Sequence, residues 1–170
     1  MKYVTIASDI SSDPSQKITT WACYIRHGGG TLKRVGQFKK YYKNCALAET
    51  HALLNALVIA KNEIPDWSES KVIIHNEIEH VLSPCVTKAG NLRKRDTDRY
   101  NDVRRIALPI LDDAFAWERR KIKAHFHGWE NSDNPAKYYI NRWCDENSRE
   151  LMRELRNRKI KQKKLLKRLR

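Results

Sequence analysis

The hydrophobic period of this chain changes sharply after about forty residues, and that change restricts what it can fold into. Residues 2–42 carry runs in which apolar and polar side chains alternate, the two-residue repeat of strands. The first run, residues 2–12 (K-Y-V-T-I-A-S-D-I-S-S), sets Val4, Ile6 and Ser8 against Tyr3, Thr5, Ala7 and Asp9. Asp13-Pro14-Ser15 has turn chemistry, residues 19–26 predict a second strand, Gly28-Gly29-Gly30 a hairpin turn, and residues 31–42 a third strand. Three strands joined this way make an antiparallel meander. Then Ala46, Ala52-Leu53, Ala56-Leu57 and Ala60 fall at helical spacing, predicting a helix over residues 46–60.

The remaining segments alternate. Residues 65–70 break the helix, and residues 71–75 (K-V-I-I-H) predict a short strand buried on both faces, in the middle of a mixed or parallel sheet. Residues 81–98 read as irregular and contain the basic cluster Arg93-Lys94-Arg95. A helix is expected over residues 98–119 on the stripe Val103, Ile106-Ala107, Ile110-Leu111 and Ala114, kinked or broken at Pro109. Residues 121–127 predict a fifth strand. Asn134-Pro135 supplies an N-cap and a first-turn proline for a last helix continuing toward Leu155. The order β-β-β-α-β-α-β-α implies an α/β fold, a five-stranded mixed sheet flanked by helices.

A chain of 170 residues suits one domain with an extension, here residues 1–157 followed by a basic tail over residues 158–170. There is no apolar run long enough to span a membrane and no signal-peptide pattern. Cys23, Cys45, Cys85 and Cys144 form no C-x-x-C pair, which predicts reduced thiols in the cytoplasm and argues against a zinc ribbon. The net charge of +14 is concentrated toward the C-terminus, where Arg158 to Arg170 holds eight Lys or Arg and no acid. Such asymmetry predicts a polyanionic partner, most simply nucleic acid. The tail is expected to fray in free solution and to order on that partner.

Three acids sit where apolar residues are expected. Asp9 ends the apolar part of the first strand, Glu49 shares the apolar stripe of the first helix, and Asp145 shares a face with Ser148, Met152 and Leu155. Each has an ordinary alternative, since an Asp can start a turn and a Glu can sit at a helix's first turn. Brought together, such acids repel, and protons or metal ions must balance them. In-line phosphodiester hydrolysis uses two divalent ions about 3.5–4 Å apart, and Mg²⁺ takes oxygen ligands.

With these motifs in this order, the chain resembles the type 1 ribonuclease H family over about residues 2–155. Val4-Thr5-Ile6-Ala7-Ser8-Asp9-Ile10-Ser11 is similar to the family's first strand, Ala48-Glu49 to its second acid, and Asn141-Arg142-Trp143-Cys144-Asp145-Glu146 to its last motif. Lys123-Ala124-His125 resembles its Lys-Gly-His, whose mobile His assists product departure or proton transfer, and His127 is the other imidazole within reach of that role. The third acid falls on Glu77, or on Asn76 if the match shifts by one residue. Ile10 stands where the family has Gly, so the turn beside the site must differ.

The resemblance implies a two-metal endonuclease cutting RNA in RNA–DNA hybrids, with two Mg²⁺ (or Mn²⁺) ions held by Asp9, Glu49, Glu77 and Asp145. His125 would complete the catalytic set. Asn44, Arg93, Lys94, Arg95, Arg158, Lys159, Lys161, Lys163 and Lys164 are expected to contact the nucleic acid. A Holliday-junction resolvase is the enzymatic alternative, weakened because Glu49 reads as helical. A catalytically silent nucleic-acid-binding protein of the same fold is the other.

Overall fold

The computed structural model describes residues 1–77, 82, 94–122 and 135–168, without the side chains of 94–97, 137 and 168. Strands β1 (Lys2–Asp13), β2 (Ile18–His27) and β3 (Gly30–Gln37) form the expected meander, followed by helix α1 (Cys45–Glu63), strand β4 (Ser70–Asn76), helix α2 (Lys94–Asp112), strand β5 (Ala116–Lys121) and helix α3 (Pro135–Arg168). The sheet order is β3-β2-β1-β4-β5. β1 pairs antiparallel with β2 and parallel with β4, and β4 pairs parallel with β5. The sheet is therefore mixed, and β1 lies at its centre.

Alternation along β1 decides which helix covers which face. Val4 and Ile6 enter the larger core, packed with Ile25, Leu53, Leu57, Ile74 and Leu111 from β2, α1, β4 and α2. Ala7 points the other way, into a smaller cluster with Ala22, Tyr24, Ile140 and Cys144 under α3. Small side chains there let α3 approach closely, and the Cys144 thiol donates to the Ala7 carbonyl at 3.5 Å. Burying an aliphatic side chain such as Leu57 against water is worth about 1.5–3 kcal/mol, so the α1–α2 face is where most of the fold's stability resides.

Three boundaries differ from expectation. β3 ends at Gln37 rather than at residue 42, because the chain turns back: the Phe38 N–H donates to Thr19 O at 3.0 Å and the Tyr42 N–H to Thr19 Oγ1 at 3.1 Å. Pro109 is accommodated inside α2, which starts earlier than expected and ends at Asp112, where the Ala114 N–H closes a tighter turn onto Leu111 O. The segment read as the end of that helix is β5. Its A-W-E-R-R-K sequence hides a strand because it lies at the sheet edge, where charge protects an unpaired side. Glu118 pairs with Lys71 of β4 at 3.1 Å and with Arg120 of its own strand. The expected strand over residues 121–127 keeps only Lys121 of the described residues; residues 123–127 lie outside them.

α3 runs unbroken through residue 158, where the tail was expected to begin. No described helix is long and apolar enough to cross a membrane, and Cys23, Cys45 and Cys144 are free thiols.

Candidate active site

The parallel register of β1 with β4 ends at the pair Ala7–His75, and β4 itself stops at Asn76. β1 continues to Asp13 along β2, with Asp9 opposite Ala22 and Ile10 opposite Trp21. Asp9 therefore lies beside the carboxyl end of β4, in the kind of crevice where sheets with crossover connections bind ligands. No turn follows Asp9. The Ile10 N–H donates to Asp9 Oδ1 at 2.7 Å, and the Ile10 side chain packs against Leu47 and Ala48 of α1. Ile10 thus fastens the start of α1 to β1, and this resolves how the turn beside the site differs.

Glu49 follows from that packing. The Asn44 side chain caps α1, its Oδ1 accepting from the Leu47 N–H at 3.1 Å and from the Tyr100 hydroxyl at 3.3 Å. Tyr42, Leu47 and Ala48 form a buried cluster at the helix entrance, with Phe38 and Tyr100 packed on it. Glu49, partly buried, comes next. Asn44 thus has a structural role as a cap, worth about 0.5–2 kcal/mol; a contact to nucleic acid would have to come from its amide nitrogen.

On the other side, α3 presents residues one turn apart. Cys144 and Ser148 are buried against the sheet, where the Thr20 hydroxyl donates to Ser148 O at 2.7 Å. Asn141 and Asp145 flank that seam. The Asn141 amide donates to Glu77 Oε1 at 3.1 Å, and Arg149 pairs with Asp145 at 2.8 Å.

The four carboxylates meet electrostatically. Burial holds the Asp9 carboxyl well above the usual carboxylate range, against the pull of the Ile10 N–H, and the charges of Asp145, Glu49 and Glu77 push it the same way. Burial also raises Glu49, to about 7, with the charge of Glu77 adding to it. Glu77 thus acts on both Asp9 and Glu49. Asn76 is instead buried within β4, its carbonyl accepting from the Ile122 N–H at 3.0 Å.

This donor set has the chemistry of a hard divalent cation's site: four carboxylates, without a thiolate or imidazole among them. Ionising all four without a counter-charge is unfavourable, since burial and, secondarily, the neighbouring acids both raise Asp9 and Glu49. Among the described residues no three His, Cys, Asp or Glu side chains stand at ion-holding spacing as they are placed, so binding would require the carboxylates to close on the ion.

His125, His127 and Arg93 lie outside the described residues, as do the side chains of Lys94 and Arg95, whose backbone opens α2. Of the tail residues, Arg158 pairs with Glu154 at 3.6 Å, Lys159 and Lys163 reach Gln16, and Lys161 and Lys164 are exposed. Arg149 was not singled out from sequence, and Asn141 was named only as the first residue of the last motif. Their signal was spacing, since each stands four residues from Asp145 and so on its helix face.

No protein-family model matches the sequence, and a search of curated proteins finds no match. Solved structures do match. The N-terminal ribonuclease H domain of a Mycobacterium tuberculosis protein, solved as a fusion with maltose-binding protein, superposes with a TM-score of 0.57 at 11% identity, covering 91% of this chain and 99% of that one. LC11-RNase H1, isolated from compost by a metagenomic approach, matches with a TM-score of 0.57 at 12% identity over 89% of this chain and 99% of its own. Ribonuclease H1 of the halophilic archaeon Halobacterium salinarum NRC-1 gives 0.52 at 17% identity, over 72% and 86%. At such identities the likeness is one of fold, and the fold is ribonuclease H-like.

Proposed function

We propose that this ribonuclease H-like chain is a divalent-metal-dependent endonuclease that hydrolyses phosphodiester bonds, with RNA in RNA–DNA hybrids as its substrate. The observation that carries the reading is the electrostatic meeting of Asp9 of β1, Glu49 of α1, Glu77 just past β4 and Asp145 of α3. LC11-RNase H1 has also been solved with an RNA/DNA hybrid, and that structure matches this chain with a TM-score of 0.50 at 12% identity over 69% of this chain and 85% of that one. Asp9, Glu49, Glu77 and Asp145 would hold two Mg²⁺ (or Mn²⁺) ions. Bound there, such ions supply an activated water and charge stabilisation at the leaving oxygen.

The chain's own residues orient and balance this centre. Asn141 fixes the rotation of the Glu77 carboxylate through its amide, as partners outside a ligand shell do for metal ligands. Arg149 neutralises Asp145 and must yield part of that carboxylate to an ion. His125 would carry the proton at product departure. Arg93, Lys94, Arg95 and the tail cations would hold backbone phosphates, which fix register without reading sequence.

Glu49 within α1 disfavours the Holliday-junction resolvase. A silent nucleic-acid binder draws support from the Arg149–Asp145 pair, which already offsets one of the four charges. Cleavage of a labelled RNA–DNA hybrid, duplex DNA, duplex RNA and a four-way junction, each with and without Mg²⁺ or Mn²⁺, separates the three. Metal-dependent cutting of the hybrid's RNA strand is expected. Preferential cutting of the junction would support the resolvase, and tight binding with no cleavage the silent protein.

A further inference from the structure

The tail is built as an arm with two differently used faces. Asp13 is buried at the β1–β2 hairpin and accepts from the Ser15 N–H and hydroxyl at 2.9 and 2.6 Å and from the Gln16 N–H at 3.1 Å. That turn presents Gln16 to α3. The Lys159 ammonium donates to Gln16 O at 2.9 Å, the Lys163 ammonium to Gln16 Oε1 at 3.1 Å, and Arg156 lies 3.9 Å from Asp13. Residues 156, 159 and 163 share one helix face at i, i+3 and i+7, so the hairpin tip splints the helix along this stretch.

Lys161, two residues beyond Lys159, lies on the opposite face, and Lys164, three residues further on, flanks it. Both lysines are exposed, with no hydrogen bond or ion pair among the described residues. A basic stripe held out by an anchored helix suits an extended polyanion, because helix rise and the struts together fix its distance from the acids.

We propose that the second half of α3 is a splinted arm whose Lys161 and Lys164 grip the duplex backbone at a set distance from the carboxylate site, with Lys159 and Lys163 serving as struts. This rests on the nuclease reading and adds a length requirement to it. Lys161 and Lys164 stand 16 and 19 residues beyond Asp145, about 24 and 28 Å along the helix at 1.5 Å per residue. At about 3.4 Å per nucleotide step, the arm reaches roughly seven to eight base pairs from the site. Duplex ending short of that on the arm's side cannot be gripped.

The test measures binding of the full chain to hybrids extended by four or by twelve base pairs on either side of a central segment, in EDTA so that nothing is cut, over a range of salt. Lys161→Gln with Lys164→Gln is expected to flatten the log Kd against log salt slope by about 2, at roughly 0.9 for each phosphate no longer neutralised. The effect should appear only on the hybrid extended by twelve base pairs on one side. No change on any hybrid, or equal flattening on all of them, would overturn the arm. Lys159→Met with Lys163→Met should lower amide exchange protection of residues 160–167; unchanged protection would overturn the strut assignment. Because cleavage is not measured, a failure of the nuclease reading is seen separately, as absent hybrid hydrolysis with Mg²⁺.

Discussion

The carboxylate site and the basic arm both gather like charges, and they do so in opposite ways. At the site, Asp9, Glu49, Glu77 and Asp145 come from distant parts of the chain into a partly buried crevice, where burial first, and the neighbouring acids in addition, raise the carboxyl groups of Asp9 and Glu49. On the arm, Lys161, Lys164 and Lys167 follow one another on an exposed helix, where water and salt screen them. Charge at the site is stored against the fold and can be relieved by a cation. Charge on the arm is displayed, where an external polyanion would relieve it.

The largest effect should come from the centre of the site. Asp9→Asn removes one of four repelling charges, so it should leave the fold intact while lowering hydrolysis by at least about 10²–10³-fold, the scale for losing one preorganised electrostatic group. Circular dichroism and single-turnover cleavage together check this. An active Asp9→Asn protein would break the contrast.

The pH dependence sharpens it. Glu49 binds its proton more tightly in the folded state, about 7 against an ordinary 4.5, so in EDTA the folded state holds more protons across that window. Stability should therefore be fully present below about 4.5 and fall as pH rises toward about 7. Mg²⁺ binding should strengthen over the same rise, because the ion displaces protons. Denaturant titrations with and without Mg²⁺ measure both. A metal-free protein whose stability rises through that window would contradict the crowding of acids.

Smaller effects test the supporting residues. Asn141→Ala should weaken metal affinity about 10–100-fold, the range for losing a partner that orients a ligand, and Mn²⁺ titration followed by electron paramagnetic resonance would detect it. On the arm, deleting residues 158–170 should leave turnover at saturating hybrid near normal while weakening binding at physiological salt. A large loss of turnover on deletion would mean that the two regions are not separable.

Much of this was legible in the sequence because the core and the charge pattern are local signals. The apolar run Val72-Ile73-Ile74 in β4, the alternation of β1 and the helical spacing in α1 each follow from neighbours a few residues away. β5 was displaced because an edge strand's charged faces resemble a solvated helix, and only pairing with β4 identifies it. The acids could be picked out as charges on apolar stripes, whereas their mutual influence depends on where β4 ends beside β1. Ile10 read only as a departure that changes the turn beside Asp9, and its role in docking α1 emerges only once Leu47 and Ala48 are packed against it. The strut lysines were beyond sequence, since their partner Gln16 lies more than 140 residues away.

The central claim, that Asp9, Glu49, Glu77 and Asp145 form one divalent-cation site, is tested most directly by anomalous diffraction from crystals soaked in Mn²⁺. The account predicts anomalous density between Asp9 and at least two of the other three carboxylates, with Asn141 still hydrogen-bonded to Glu77. Clear Mn²⁺ density elsewhere on the protein and none within ligand distance of Asp9 would contradict it.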